Sequence, residues 1–148
     1  MTQSNKVADA LTYVLGDTYA LYLKTHGYHW NVEGPNFKSL HELFEVNYNA
    51  LWTSLDEIAE RIRALGVYAP TGPQLAQLAR IESGDNDVPS ANGMVQNLVA
   101  GHEAWLEGAR AALEIASDAG DVASEGLVTD LITAHEKMAW MLRSSLER

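Results

Sequence analysis

The sequence predicts an all-α protein, built as a four-helix bundle with one long crossover. Apolar residues recur at helical spacing through four long segments, and no segment shows the strict alternation of a β-strand. A long connection punctuated by proline, glycine and aspartate separates the second long segment from the third. A crossover of that length can return the chain to the far end of a bundle, which leaves the two helices that it joins roughly parallel.

The first two long helices are predicted over about residues 4–32 and 37–65. The sequence Glu33-Gly34-Pro35 ends the first helix, and Asn36 is expected to cap the second. Gly66 follows the second helix at the position where glycine commonly ends one. Their apolar stripes consist of Val7, Leu11, Val14, Leu15 and Leu21 or Tyr22, and of Phe37, Leu40, Phe44, Leu51, Leu55, Ile58, Ile62 and Leu65.

Within the connection, residues 67–89, a short helix is expected over residues 74–81, because long structureless loops are uncommon in compact domains. Ser90 is expected to cap the third long helix, and Gly120 separates it from the fourth, about residues 121–146. This is one domain with the ferritin-like arrangement, without repeats or a second-domain linker. The apolar positions of the last two long helices include Val95, Leu98, Trp105, Leu106, Ala109 and Leu113, then Leu127, Leu131, Met138, Trp140 and Leu142.

Composition narrows the classes of function. The 148 residues contain no cysteine, which excludes disulfides, thiolate metal sites and cysteine nucleophiles. With neither a long apolar run nor a secretory leader, the chain is expected to be soluble, cytoplasmic and free of membrane contact. A formal net charge of −10 disfavours nucleic-acid phosphates and favours cations, although many intracellular proteins are acidic only for solubility.

Four potential metal ligands lie on one stripe of the second helix. His41, Glu45, Asp56 and Glu60 fall at about 0°, 40°, 60° and 100° around its axis. His41 and Asp56 are separated by roughly 22 Å along that axis, whereas metal–ligand bonds are about 2 Å long. If these residues serve one metal together with His29, Asp56 and Glu60 must therefore come from a second, antiparallel copy of the chain. Spacing alone also permits a solvated face with no metal, because acidic i, i+4 pairs are common on exposed helices.

Residues 26–65 resemble the signature of the Dps family, the DNA-protection-during-starvation miniferritins. The resemblance extends over essentially the whole chain and implies a ferritin-like subunit. The matching motifs are His29-Trp30-Asn31-Val32, Gly34-Pro35-x-Phe37, Leu40-His41-Glu42-x-Phe44-Glu45 and Asp56-Glu57-Ile58-Ala59-Glu60-Arg61-Ile62, with a weaker match at His135-Glu136-Lys137-x-x-Trp140-Met141-Leu142.

The resemblance implies a ferroxidase site formed by His29 and His41 of one subunit with Asp56 and Glu60 of its two-fold mate. Glu45 stands where the family has an acidic residue that helps to bind a second, weaker iron. The family's implied activity is oxidation of Fe(II), preferably by hydrogen peroxide, and storage of ferric mineral in a shell of twelve subunits. Iron is the implied metal, and zinc or another divalent ion is expected to substitute at such a nitrogen and oxygen site.

Other positions receive weaker assignments from the resemblance. Trp30 stands where the family has an aromatic residue beside the iron that is thought to intercept oxidising equivalents. A core tryptophan at the helix end is compatible with that role. Acid-lined pores in the family make Asp121, Glu125 and Asp130 pore candidates, but this chain has Gly126 where many relatives have an aspartate. Acidic residues in a first helical turn also simply favour the helix dipole. Glu42 is a candidate for mineral nucleation. His26, His102 and His135 are expected to be structural or solvated. Tyr28 and Trp52 are expected to be packing residues and not electron relays.

DNA binding through a basic tail is not expected. Residues 1–6 contain a single lysine, and the C-terminal end adds only Arg143 and Arg148. Protection of DNA would then be chemical, through removal of iron and peroxide together.

Three other functions are compared with this one at the level of the sequence. A zinc hydrolase or transferase would need three ligands within one chain and an open coordination position. A metal-free oligomer would leave the acidic residues solvated. A standard ferritin would carry Glu-x-x-His pairs inside a single bundle, which this sequence lacks.

Overall fold

The computed structural model describes residues 2–147, and within that range it contains five helices and no strand. Met1 and Arg148, which belong to the terminal segments considered above for DNA contact, lie outside the described residues. The predicted four long helices and short crossover helix are confirmed. They are α1 (Gln3–Asn31), α2 (Phe37–Ala64), α3 (Pro73–Leu78), α4 (Ala91–Asp118) and α5 (Val122–Ser144).

Local sequence signals explain most of the helix ends. The Ser90 hydroxyl accepts a hydrogen bond from the Gly93 amide at 3.0 Å and so caps α4, as predicted. Gly66 follows α2 with a φ of +89°, a conformation that glycine adopts without steric cost. The prediction for Asn36 is wrong: it occupies the cap position of α2, but its side chain makes no capping hydrogen bond. The short helix begins and ends earlier than predicted, since Ala79 already has extended backbone.

The core lies where α1 packs against α2 and α4, and where α4 packs against α5. Most of the predicted apolar positions are buried in it, including Phe44, Ile58 and Trp105. Two predicted stripe residues are exposed: Trp140 is 58% exposed, and Phe37 is 43% exposed. Both point away from the core of the single chain. Among the described residues, no helix combines the length and apolar character needed to cross a membrane.

The crossover is fixed to α1 by an ion pair between a buried aspartate and an exposed arginine. Asp17, which is 2% exposed, contacts the Arg80 guanidinium at 2.6 Å and also accepts a hydrogen bond from the Arg80 amide at 2.6 Å. Gly16 permits the close approach of α3, because a Cβ at this position would lie 3.0 Å from the Ala79 amide nitrogen. Further along the connection, Asp85 accepts a hydrogen bond from the Tyr28 hydroxyl. Tyr28 is therefore a buried packing residue, as predicted.

Two histidines lie inside the bundle, between α4 and α5. The Nδ1 atoms of His102 and His135 are 2.9 Å apart, and the ring of Trp105 stacks on His135 with a centroid distance of 3.4 Å. Burial lowers the pKa of His102 to about 4. Burial, and then the nearby His102, lower the pKa of His135 as well. Both rings are therefore neutral at pH 7, and of the two roles predicted for them, structural or solvated, the structural one is correct.

Candidate metal site

His29 and His41 meet where the chain turns from α1 into α2. His29 lies in the last turn of α1, and His41 lies in the second turn of α2. The connecting residues 32–36 include Gly34, whose φ of +114° allows the sharp reversal. The two imidazole rings stack with a centroid distance of 3.7 Å and an interplanar angle of 14°. His29 is buried and His41 is half-buried, so the pair is only partly accessible to solvent.

Reciprocal hydrogen bonds hold the two rings. Nδ1 of His29 lies 2.7 Å from the main-chain oxygen of His41, and Nδ1 of His41 lies 2.6 Å from the main-chain oxygen of His29. A carbonyl oxygen can only accept a hydrogen bond, so each Nδ1 must carry the hydrogen. In a neutral imidazole this leaves Nε2 with a free lone pair. An Nδ1–H donated to a backbone carbonyl is the arrangement that fixes the tautomer of metal-binding histidines.

The acidic candidates lie on α2, and the single chain does not bring them to the histidines. Glu45, one turn after His41, is exposed, and Asp56 and Glu60 are exposed nearer the other end of the helix. Within residues 2–147, no three histidine or carboxylate side chains lie close enough together to hold a metal ion. The isolated chain therefore presents a pair of prepared histidines and, some 22 Å away by helix rise, a pair of free carboxylates.

Helix α2 also exposes apolar side chains, Trp52 within the ligand stripe and Val46 beside it. Val46 is 67% exposed and Trp52 is 58% exposed. Asp56 borders a groove of about 720 Å³ that is also lined by Leu15 and Trp52. Exposed apolar groups that cluster beside polar ones mark surfaces for protein–protein contact. Trp52 is predicted to be a packing residue. In the single chain its side chain does not lie in the core.

An aromatic cluster surrounds the histidine pair. The ring of His26 stacks on Tyr48 with a centroid distance of 3.9 Å and lies 4.5 Å from the ring of Trp30. Its Nδ1 is 2.9 Å from the hydroxyl of Tyr22. Burial, and then the nearby His29, lower the pKa of His26. Trp30 is 66% exposed, so the core role considered for it is wrong in the single chain.

Sequence reasoning did not identify the contact between Tyr22 and His26. The available signal was their i, i+4 spacing on α1, which places both side chains on one face of the helix. Burial, and then Tyr48 and Tyr19, raise the pKa of Tyr22, which therefore keeps its phenol proton at neutral pH. His26 was expected to be structural or solvated, and the structure places it in contact with three aromatic side chains.

The acidic residues at the start of α5, which are candidates for a pore, have different environments. Both carboxylate oxygens of Asp121 are engaged within the chain, by Arg61 at 2.9 Å and by the amide and hydroxyl of Ser124. Burial would raise the pKa of Asp121, but the bonds from Ser124 and the charge of Arg61 hold it below its usual value. Glu125 is half-buried, and Asp130 and Gly126 are exposed. Glu42 is also exposed, 4.0 Å from Lys38.

Comparison with known proteins supports a common family. Residues 8–148 match the family model described as a ferritin-like domain. The chain is 43% identical to a low temperature-induced protein of Nostoc sp., with 98% of this chain and 82% of that one covered. It is 34% identical to DNA protection during starvation protein 2 of Bacillus anthracis, with 98% and 99% covered.

A solved structure shows the same fold. It is the Dps protein of Vibrio cholerae, described as a member of a broad superfamily of ferritin-like diiron-carboxylate proteins. The TM-score is 0.92 at 36% sequence identity, with 98% of this chain and 91% of that chain covered. Fold, sequence identity and coverage agree over nearly the full length, and the chain belongs to the Dps family of ferritin-like proteins.

Proposed function

We propose that this protein oxidises Fe(II) at a site shared by two subunits and stores the ferric product. The observation that carries the proposal is the reciprocal Nδ1–carbonyl bonding of His29 and His41, which prepares two Nε2 lone pairs for a metal. The description of the Vibrio cholerae relative as a member of a diiron-carboxylate superfamily supports iron as the substrate.

The missing ligands are supplied by a second copy of the chain. Two α2 helices that cross antiparallel about a two-fold axis place the histidine end of each beside Asp56 and Glu60 of the other. Two-fold symmetry then creates two identical sites in each pair. The exposed Trp52, which lies within the same stripe, supplies apolar contact that such an interface needs.

The ligand types suit an ion that changes oxidation state. Imidazole nitrogen binds Fe(II), and the carboxylates of Asp56 and Glu60 favour the more highly charged Fe(III). Glu45, one turn after His41 on α2, is proposed as a ligand of a second iron ion beside the first. Two Fe(II), one hydrogen peroxide and two protons then yield two Fe(III) and two water molecules, so no hydroxyl radical is released.

The complete assembly in this proposal is a hollow shell of twelve subunits, with iron mineral inside. Protection of DNA follows from consumption of Fe(II) and peroxide together. Glu125 and Asp130 are the proposed pore acids, since Asp121 is engaged within the chain. Glu42, which is exposed, is proposed to contribute to mineral nucleation.

Subunit mixing tests the shared site directly. His41→Ala and Asp56→Asn shells are each expected to lose peroxide-driven iron oxidation. After dissociation and reassembly together, half of the two-fold pairs are mixed, and one of the two sites in each mixed pair is intact. About a quarter of wild-type activity should therefore return.

Glu57→Gln is the matched control, because Glu57 is an exposed acid between Asp56 and Glu60 in sequence and does not share their stripe. Mixed shells of Glu57→Gln and wild type should retain full activity. Verified co-assembly of the two inactive variants without any recovery would exclude a site shared between subunits.

A further inference from the structure

Lys24 is a buried lysine whose charge has no partner in the chain. It lies on α1 and is only 9% exposed. Within residues 2–147, none of the ion pairs includes its ammonium group. A charge that is removed from water is costly unless a group of opposite charge accompanies it. The ammonium of Lys24 is therefore available to an acidic group from outside the chain.

This lysine lines a cleft of about 190 Å³ between α1 and residues 83–89 of the crossover. Tyr28 joins the two walls of the cleft, because its hydroxyl donates a hydrogen bond to Asp85 and accepts one from the Asn97 amide at 3.1 Å. Gly27 also lines the cleft, and a Cβ added there would meet nothing within 4 Å. The cleft is thus formed by contacts within the chain and has free space beside Lys24.

The crossover wall of the cleft is negatively charged. Asp85 and Asp87 both line it. Asp85 is bound by Tyr28, whereas Asp87 is exposed and belongs to none of the ion pairs within residues 2–147. These carboxylates repel a simple anion, and Lys24 repels a simple cation. A small molecule that carries one charge of each sign meets neither obstacle.

We propose that this cleft binds a small free amino acid as its zwitterion, with the carboxylate at Lys24 and the ammonium at Asp87. Leu23, Val88 and Met94 also line the cleft and favour a short apolar side chain. A cavity of about 150 Å³ accommodates benzene, so this cleft has room for an amino acid of the size of valine but not for a peptide. None of the proposed iron ligands lines the cleft, and amino-acid binding does not depend on the ferroxidase function.

Binding of glycine, L-alanine and L-valine to the iron-free protein tests the proposal. Affinity is measured at neutral pH by saturation-transfer NMR, which detects weak ligands of large particles. Isobutyrate, which is valine without its ammonium, and isobutylamine, which is valine without its carboxylate, are titrated in parallel. Valine should bind at least about 10-fold more tightly than either analogue, since each analogue lacks one charge-assisted hydrogen bond.

Three variants test the named residues separately. Lys24→Met keeps the aliphatic stem but removes the charge, and should weaken valine binding at least about 10-fold. Gly27→Met keeps both charges but fills the cleft, and should abolish binding. Asp87→Asn, a change at an exposed position, should reduce the affinity for valine to that for isobutyrate. Lys6→Met is the matched control, because Lys6 is an exposed lysine on the same helix, and it should bind valine as the wild type does.

Circular dichroism and size-exclusion chromatography show whether each variant is folded and assembled. Should Lys24→Met or Gly27→Met fail to fold, Asp87→Asn and the two analogues still test the site. A lysine that only covers apolar surface with its stem predicts that no amino acid binds. The proposal is overturned if none of the three amino acids binds to the wild type, if isobutyrate or isobutylamine binds as tightly as valine, or if a folded Lys24→Met or Gly27→Met protein keeps the wild-type affinity.

Discussion

His29 and His41 each bind the main chain of the other through Nδ1, at 2.7 and 2.6 Å. The acceptors are carbonyl oxygens, so neither ring depends on the other residue's side chain for its tautomer. The end of α1 and the start of α2 are thereby joined at the point where metal ligands are required. The arrangement makes the two histidines separable by mutation.

We expect His29→Ala and His41→Ala each to weaken divalent metal binding while the remaining histidine keeps its orientation. The loss should be at least ~10- to 100-fold in affinity, the effect typical even of removing an outer partner of a metal ligand. Anaerobic titration with Co(II), followed by its visible absorption, measures both affinity and stoichiometry.

His26→Gln is the comparison, since His26 is on the same helix face but is not a proposed ligand. It should bind Co(II) as the wild type does. Unchanged Co(II) affinity in both alanine variants would remove these histidines from the site.

Substitution of Asp121 tests whether this acidic residue at the start of α5 contributes to the stability of the fold or to iron uptake. Asp121→Ala removes the cap of α5 and the partner of Arg61, and should cost about 1–2 kcal/mol of unfolding free energy. Asp121→Asn keeps a good capping residue and removes the charge. If the role is structural, the asparagine variant should load iron at the wild-type rate and lose less stability than the alanine variant.

Urea unfolding and the rate of iron loading are compared for both variants, with the exposed Asp118→Asn as control. A slow iron uptake in Asp121→Asn with intact stability would instead assign the residue to a pore.

The sequence was sufficient for the helices because their ends carry local signals. Helices end at Gly66 and Gly120 because of the backbone conformation of these glycines, and α4 begins at Ser90 because its side chain forms a cap. Such ends can be predicted without knowledge of distant contacts. Asn36 was predicted wrongly because only its residue type was considered, and asparagine commonly caps helices. The turn around Gly34 gives Asn36 a backbone geometry in which its side chain forms no capping hydrogen bond.

The candidate site was less accessible to sequence reasoning. The identity of the ligands came from the resemblance to a family, and Asp56 and Glu60 stay predictions. The tautomer of His29 and His41 depends on the packing of α1 against α2, which spacing along one helix does not encode. Trp140 and Phe37 were predicted to be core residues but are exposed, because apolar periodicity does not distinguish a buried apolar position from an exposed one.

Close packing between α1 and α4 predicts that alanine will affect stability differently at two glycine positions. A Cβ at Gly101 would lie 2.9 Å from the Cδ1 atom of the fully buried Leu21. Gly101→Ala should therefore destabilise the fold by about 1–3 kcal/mol through overpacking. Gly27→Ala, where the added Cβ meets nothing within 4 Å in the chain, should be neutral or stabilise α1 by roughly 0.5–1 kcal/mol.

Both glycine variants are measured by urea unfolding at one protein concentration, since assembly contributes to stability. Equal stability of the two variants would show that α1 and α4 are less tightly packed than the structure indicates.

The acidic surface predicts weak association with DNA. Each chain carries a formal charge of −10, so the proposed shell of twelve would carry about −120. Proteins bind polyanions mainly through Lys and Arg side chains that displace counterions. Iron-free shells should not shift plasmid DNA in a gel at physiological salt and neutral pH. A variant with Glu-to-Lys changes at exposed positions such as Glu107 and Glu114 is the positive control. A clear shift by the wild-type shell would contradict the prediction.

The buried pair His102 and His135 predicts loss of stability in mild acid. Both are neutral in the folded chain, and an unfolded histidine has a pKa of about 6.5. Between pH 6.5 and about 4 the unfolded chain therefore binds more protons than the folded chain, so the free energy of unfolding falls as the pH falls. For His102 the full effect is on the order of 3 kcal/mol, at about 1.4 kcal/mol per pH unit.

Urea unfolding of iron-free shells at pH 7, 6 and 5 measures this slope in a range where most carboxylates remain ionised. His102→Gln removes one titrating ring and should flatten the slope, even though the buried amide lowers stability at every pH. Lys137→Gln, a change of an exposed charge on α5 close to His135 in sequence, should leave the slope unchanged. A slope in His102→Gln as steep as in the wild type would mean that other groups cause the acid sensitivity.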